Sequence, residues 1–312
     1  ISGDMFVAAM LDATQCKKNE ITEVLKSLGV PKGLSIKIKS EKDARMNGRK
    51  FCVEGPLQGP NNIEEICNFL TNSKMSNEVQ DVATQIFKLL GHAEAKVHGI
   101  KIEKVHLHEV GNWDSIVDIV LAGYFITKLA GCSWSSSPVP IGEGFVKCDH
   151  GNVPLPAPAT AELLRGMFTR HDGITGERTT PTGAAILKYL SPSPTGTFNN
   201  RKLIGFGTGF GSRTFDQFSN ILRVFFYNSS SNLNPCDEVG VISFTVDDQS
   251  PEDLAYGLES IRSLDFTHEV SQVASFGKKN RISAKIEVLC DPLYIDEVAN
   301  ACFEQTSTIG LR

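Results

Sequence analysis

The densest group of side chains capable of chemistry lies in one short stretch of the chain. It reads VHLHEVGNWDSIVD and supplies two imidazoles and three carboxylates, those of His106, His108, Glu109, Asp114 and Asp118. If the part before Gly111 is a strand, both histidines project to one face. If the part after it is a helix, the two aspartates lie one turn apart. Imidazole suits nickel, zinc, copper and iron, and carboxylate suits magnesium and manganese, so the pattern predicts a divalent metal site.

A purely structural interpretation of this stretch stays open. One histidine would lie in the core and the other on the surface, and Asp114 would cap the helix that follows. Asp118 favours the functional interpretation because it falls in a strongly apolar helix, where an unpaired buried carboxylate is costly.

Two further segments carry weaker signals. In HGNVPLPAPAT, three prolines stiffen an extended chain that could hold His150 as a third ligand or an acid–base group. A turn histidine is the alternative for His150. In GERTTPTG, hydroxyls and free N–H groups at a helix N-terminus suit phosphate or carboxylate, although threonine capping needs no ligand.

The last quarter of the chain contains charges that suit a metal–triphosphate. Asp247 and Asp248 precede a predicted helix, and Lys278, Lys279 and Arg281 follow Gly277. Carboxylates would hold the ion, and the cationic side chains would bind the phosphates. The alternative is a helix cap and a basic hairpin turn.

Apolar spacing and turn residues predict the elements that position these groups. Helices are expected over 5–11, 21–28, 63–70, 79–90, 114–129 and 184–190, and strands over 35–39, 105–110 and 221–227. Residues 229–236 form a polar, proline-ended linker. Beyond it, strands over 239–246, 270–274 and 285–290 and helices over 251–261 and 292–303 follow the order β-α-β-β-α. This is an incomplete ferredoxin-like split βαβ unit, whose last strand is expected after Arg312.

The predicted fold class is therefore α+β, with a larger mixed α/β domain over residues 1–228 and a ferredoxin-like domain over 237–312. The length of 312 residues also suggests two domains. A hydrophobic fraction of 41% and a charged fraction of 21% exclude a disordered chain or a coiled-coil rod. The net charge of −5 argues against a general nucleic-acid binder.

No stretch is long and apolar enough to predict a membrane span, and no signal peptide is visible. The eight cysteines form no CxxC pair and are typical of the reduced thiols of a cytoplasmic protein. Because the chain begins at Ile1 rather than Met, we expect the natural N-terminus, with any targeting signal, to precede it.

Several blocks along the whole chain resemble one family. They are SGDM at residue 2, AEAKVHG at 93, VHLHEVG and DSIVDIV, HGNVPLPAPATAELL, TTPTGAA, and, near the end, DDQSPE, KKNR and TSTIGLR. The resemblance is to the nickel-insertion proteins that make the nickel-pincer nucleotide, the cofactor of lactate racemase. The family's His-rich loop is replaced here by GPLQGPNN, so nickel storage on that loop is not expected.

The resemblance implies a CTP-dependent nickel chelatase of the lyase class. Such an enzyme inserts Ni²⁺ into pyridinium-3,5-bisthiocarboxylic acid mononucleotide through metal–sulfur and metal–carbon bonds, and uses CTP with Mn²⁺ or Mg²⁺. The C-terminal domain is associated with the nucleotide and with homo-oligomer formation, and the product serves apo lactate racemase or another nickel-pincer enzyme.

The residue roles are inferred residue by residue, because the resemblance fixes the motifs but not every role. The expected metal residues are His106, His108, Asp114, Asp118 and Asp4, and the expected catalytic residues are His108, Glu109 and His150. The expected residues around metal–CTP are Asp247, Asp248, Lys278, Lys279, Arg281 and Arg312.

Two other functions fit the same residues. A nickel carrier that makes no bonds would share the His/Asp cluster but need not consume CTP. A metal-dependent phosphohydrolase would show phosphatase activity with Mg²⁺ or Mn²⁺ and no preference for nickel.

Overall fold

The chain forms two compact units, Ile1–Ser230 and Ser231–Arg312, each with its own hydrophobic core. The structure, a computed structural model, describes residues 1–43, 45–56, 58–60, 62–105, 111–148, 151–194, 201–215, 218–228, 239–277 and 282–312, with the backbone alone at 147–148. The predicted linker, 229–236, lies outside the described residues. The predicted α+β class is confirmed, whereas the functions assigned to the two domains stay predictions.

The first unit combines helices with one larger sheet and three short two-stranded sheets. Its helices are α1 (Gly3–Ala13), α2 (Lys18–Leu28), α3 (Ile63–Thr71), α4 (Asn77–His98), α5 (Trp113–Lys128), α6 (Pro158–Leu163) and α7 (Pro181–Leu190). Its strands are β1 (Ser35–Lys42), β2 (Asn47–Glu54), β3 (Ser135–Ser136), β4 (Val139–Glu143), β5 (Phe145–Cys148), β6 (Gly151–Pro154), β7 (Thr169–Thr175), β8 (Ser193–Pro194), β9 (Lys202–Phe210) and β10 (Ile221–Asn228).

The larger sheet has the strand order β1-β2-β9-β10 and packs against α1. Its glycines allow this close approach, because a Cβ on Gly209 would lie 2.2 Å from the carbonyl oxygen of Met5. At the other end of α1, the carboxylate of Asp12 accepts the backbone N–H of Thr208 at 2.9 Å. These contacts fix α1 on the sheet and thereby fix its N-terminal residues, which line the cavity described below.

Helices α4 and α5 form the centre of the first core. Residues 116–122 of α5 are all buried, as the apolar run of the sequence predicts. Helix α4 is longer than predicted: it continues beyond Leu90 to His98 and ends at Gly99, which has a φ of 63°. The extra turns carry Glu94 and His98 toward the cavity.

The second unit follows the predicted β-α-β-β-α order. Its elements are β11 (Gly240–Val246), α8 (Pro251–Arg262), β12 (Thr267–Phe276), β13 (Ile282–Cys290) and α9 (Ile295–Gln305), with antiparallel strands in the order β11-β13-β12. Arg312 and Ser243 exchange backbone hydrogen bonds of 3.0 and 2.8 Å along the outer edge of β11. That edge is where a ferredoxin-like sheet receives its fourth strand.

Among the helices of the described residues, none combines the length and the apolar character that crossing a membrane requires.

Candidate functional site

A cavity of about 640 Å³ opens in the first unit, within the size range of small-molecule sites. Several elements supply its charged and polar walls. They are the start of α1, the end of α4, the start of α5, the segment entering α7 and the loop after β9. The groups of interest are Asp4, Glu94, His98, Asp114, Asp118, Arg178, Thr182 and Arg213.

Asp118 is the buried acidic group of this cavity, with 9% of its surface exposed. It lies against the start of α1, where a Cβ added to Gly3 would be 2.7 Å from its Oδ2. Burial raises the pKa of Asp118 well above its ordinary value, and the negative charges of Asp4 and Asp114 raise it further. The carboxyl group therefore retains its proton more readily than an exposed aspartate and is a stronger base once ionised.

Asp4 has a similar but milder electrostatic environment. Burial raises the pKa of its carboxyl group, and hydrogen bonds from the Ser2 hydroxyl and the Met5 N–H oppose that effect. A cation that entered between Asp4 and Asp118 would favour the ionised form of both groups. The structure thus brings the carboxyl groups of Asp4 and Asp118 to one cavity.

Asp114 is not the helix cap of the structural interpretation. Helix α5 begins at Trp113, and Asn112 occupies the N-cap position. Asp114 is the second residue of the helix and lines the cavity one turn before Asp118. The capping interpretation is wrong because the N-cap lies two residues before Asp114.

Sequence reasoning did not single out Glu94 and His98, which line the cavity from the last turns of α4. Nε2 of His98 lies 3.6 Å from Oε2 of Glu94. The spacing of four residues on a helix was the available signal. Imidazole and carboxylate are both ligands of first-row divalent metals.

Two hydroxyl groups of the TTPTG segment make structural hydrogen bonds. Thr180 caps α7 by accepting the N–H of Gly183, and the Thr179 hydroxyl donates to the carbonyl of Pro140. The Thr180 N–H also donates to the carbonyl of Ile1, which joins the start of α7 to the start of α1. Thr182 remains as the buried hydroxyl of this segment that lines the cavity.

Two arginines bring positive charge to the cavity. Arg178 is held by Asp172, with a distance of 2.9 Å between Nε and Oδ2, and each side chain is 13% exposed. Its guanidinium carbon also lies 5.1 and 5.0 Å from the ring centres of Phe215 and Phe218. Arg213 is exposed at the wall and belongs to the same loop as the two phenylalanines.

Four expected site residues of this unit, His106, His108, Glu109 and His150, lie outside the described residues. The described part of the chain contains no group of three or more His, Cys, Asp or Glu side chains arranged to hold a metal ion. The predicted metal set therefore stays a prediction, of which Asp4, Asp114 and Asp118 are seen to line one cavity.

In the second unit, Asp247 and Asp248 follow β11 and are exposed. The Asp248 carboxylate accepts the Ser307 hydroxyl, and Gln249 accepts the Ser307 N–H at 3.1 Å, so the TSTIGLR block meets the DDQSPE block. Arg312 is also exposed at the edge of β11. Lys278, Lys279 and Arg281 lie outside the described residues, although Phe276 and Ile282, which flank them, pair at the end of the sheet where Val246 pairs with Ala284.

The fold and the cavity define a protein with a small-molecule site in its first unit. Comparison with known proteins then gives the family. The family model described as nickel insertion protein matches residues 1–312, and the chain belongs to that family.

Individual relatives agree with this assignment. A Geobacter metallireducens protein named for nickel insertion is 37% identical over all of this chain and 80% of its own length. The pyridinium-3,5-bisthiocarboxylic acid mononucleotide nickel insertion protein of Akkermansia muciniphila is 33% identical over all of this chain and 78% of its own length.

Solved structures match a limited part of the chain. One of them is the apo form of the C-terminal domain of a cyclometallase involved in the synthesis of the NPN cofactor of lactate racemase. The match covers 24% of this chain and 51% of that one, at 28% identity and a TM-score of 0.23.

Proposed function

We propose that this chain inserts Ni²⁺ into pyridinium-3,5-bisthiocarboxylic acid mononucleotide, the compound named for the Akkermansia relative, and that it does so in the cavity of the first unit. The observation that carries this proposal is the placement of buried Asp118 beside Asp4 in a ligand-sized cavity. Nickel is a substrate here, and so it must be bound weakly enough to be passed on.

The ligand chemistry supports such a transfer. Carboxylate and imidazole groups hold Ni²⁺ less firmly than the two soft thiocarboxylate sulfurs of the organic substrate. Asp4, Asp114 and the Glu94–His98 pair would receive the ion at the cavity wall. The thiocarboxylates would then take it from these oxygen and nitrogen ligands.

The metal–carbon bond requires a base. When nickel replaces the hydrogen on the ring carbon, the electron pair of the C–H bond becomes the Ni–C bond, and one proton leaves. Nickel remains divalent throughout. Asp118 would accept that proton, because a carboxylate with a raised pKa is a stronger base than an ordinary one.

The test is reconstituted insertion with purified protein, Ni²⁺, CTP, Mn²⁺ and the organic substrate, with mass spectrometry of the nickel-containing product. Asp118→Asn keeps the shape of the side chain and removes the base, and we expect the rate to fall by at least about 100-fold. Asp81→Asn, at an exposed position of α4 outside the cavity, is the matched control.

Three results would contradict the proposal. A wild-type rate for Asp118→Asn would remove Asp118 as the base. Nickel that binds but never enters a bond to carbon would indicate a carrier instead. Phosphate release with Mg²⁺ and no nickel preference would indicate a phosphohydrolase.

We also propose that the reaction depends on CTP and that the second unit binds this nucleotide. The exposed Asp247 would hold Mn²⁺ or Mg²⁺ on the triphosphate, and Asp248, through Ser307, would order the segment leading to Arg312. Asp247→Asn should weaken Mn²⁺–CTP binding by about 10-fold or more in calorimetry, whereas Asp265→Asn should not. Homo-oligomer formation, a cytoplasmic location and supply to apo lactate racemase or another nickel-pincer enzyme stay predictions.

A further inference from the structure

We infer that Arg213 binds the phosphate group of the mononucleotide and thereby sets the orientation of the substrate in the cavity. This inference rests on the proposed function, since it names the residue that recognises one part of that substrate.

The two arginines at the cavity wall differ in whether a carboxylate already pairs with them. Among the described residues that line the cavity, the lysine and arginine side chains are those of Arg178 and Arg213. Arg178 is committed to Asp172 in a nearly buried ion pair. No described carboxylate lies within ion-pair distance of Arg213, so its guanidinium has no charged partner in that part of the chain.

Gly176 and Asn220 contact Arg213 and its loop. Its guanidinium crosses Gly176 so closely that a Cβ there would lie 2.8 Å from Nη1, and Gly176 has a φ of 103°, which favours glycine. The loop of Arg213 is closed by the Gly211 N–H, which donates to the carbonyl of Asn220 at 2.9 Å. The Asn220 side chain in turn donates to the carbonyl of Arg213 at 3.1 Å.

A second anchor fixes the same loop. Phe215 and Phe218 stack on each other with ring centres 4.7 Å apart, and both rings lie beside the guanidinium of Arg178. The Arg178–Asp172 pair thus holds the loop, and Arg213 remains available for a ligand. A guanidinium on a loop with a fixed backbone can bind phosphate through two parallel hydrogen bonds.

The charges of the cavity favour one orientation of the substrate. In their ionised forms, Asp4 and Asp118 would repel a phosphate dianion and attract the cationic pyridinium ring. A substrate with its ring at these carboxylates and its phosphate at Arg213 satisfies both ends.

The experiment compares two probes that differ only in the phosphate, nicotinic acid mononucleotide and nicotinic acid riboside, by calorimetry on the full chain. We expect the wild type to bind the mononucleotide about 100-fold more tightly than the riboside. In Arg213→Ala, we expect this preference to fall below about 5-fold while riboside affinity is retained. Arg213→Lys, which keeps the charge but loses the paired geometry, should be intermediate.

Arg170→Ala is the matched control, because Arg170 is an exposed arginine of β7 that does not line the cavity. A wild type without preference for the mononucleotide, or an unchanged preference in Arg213→Ala, overturns the inference. In the insertion assay, Arg213→Ala should raise the KM for the organic substrate at least about 30-fold and change kcat less than about 3-fold. If the wild type makes no nickel product but the phosphate preference still depends on Arg213, the proposed function fails and the phosphate site stands.

Discussion

The carboxyl group of Asp118 lies directly against Gly3: a Cβ added to Gly3 would be 2.7 Å from both Cβ and Oδ2 of Asp118. The absence of a side chain at residue 3 is therefore what allows α5 to present a buried carboxyl group to the start of α1. Gly3 lies in the SGDM block. It has no side chain that could take part in chemistry, so its contribution is steric.

Gly3→Ala tests this contact. The added methyl group must displace Asp118 or the first turn of α1, so we expect a loss of about 1–3 kcal/mol in the free energy of unfolding and at least about a 10-fold loss of nickel insertion. Urea unfolding and the insertion assay provide the two measurements. Gly205→Ala is the control, because its nearest neighbour would be at an ordinary 3.7 Å. Equal activity of the two variants would contradict the steric role.

The pH dependence of stability should reveal the raised pKa of Asp118. Burial raises the folded-state pKa above the ordinary value of 3.8. Between these two pKa values, the folded chain holds a proton that the unfolded chain has lost, so folding takes up a proton in this pH range. Stability from this group is complete below that ordinary value and is lost as the pH rises through the folded-state pKa.

Asp118→Asn removes this effect. In metal-free buffer, we expect its stability relative to the wild type to increase as the pH rises above about 4. Urea unfolding at several pH values measures it, with Asp81→Asn as the control. A difference that does not change with pH would show that the folded-state pKa of Asp118 is ordinary.

His98 and Glu94 should contribute to the capture of nickel. We expect His98→Ala to weaken Ni²⁺ binding by about 10-fold, because it removes an imidazole from the cavity wall. Calorimetry with Ni²⁺ alone is the measurement. His92→Ala is a close control, since His92 is exposed on the same helix but does not line the cavity. Equal losses in the two variants would point to nonspecific binding by surface histidines.

The buried thiols of the second unit should be unreactive in the native protein. Burial raises the pKa of Cys302 to about 11, and Cys290 is also fully buried, whereas Cys132 of the first unit is exposed. Labelling with a thiol reagent at pH 8, mapped by mass spectrometry, should modify Cys132 within minutes and Cys290 and Cys302 after unfolding. Rapid native labelling of Cys302 would contradict its placement in the core.

Several features of this protein follow from its sequence alone. Apolar residues at helical spacing predict α2, α8 and most of α5, and strict alternation predicts β1, because these patterns record which face of an element is buried. The β-α-β-β-α order of the second unit and the blocks that define the family are equally local. Asp118 also stands out from the sequence, as a carboxylate within an apolar helix.

Tertiary structure alone decided which groups share one cavity. Asp4, Asp118 and Arg213 are far apart in the chain, and no local pattern relates a glycine at residue 3 to an aspartate in α5. Their proximity depends on how α1 packs between its sheet and α5, which is set by contacts such as Gly209 with Met5 and Thr208 with Asp12. Sequence periodicity specifies the buried face of each element, whereas the identity of its neighbour emerges only when all the faces pack together.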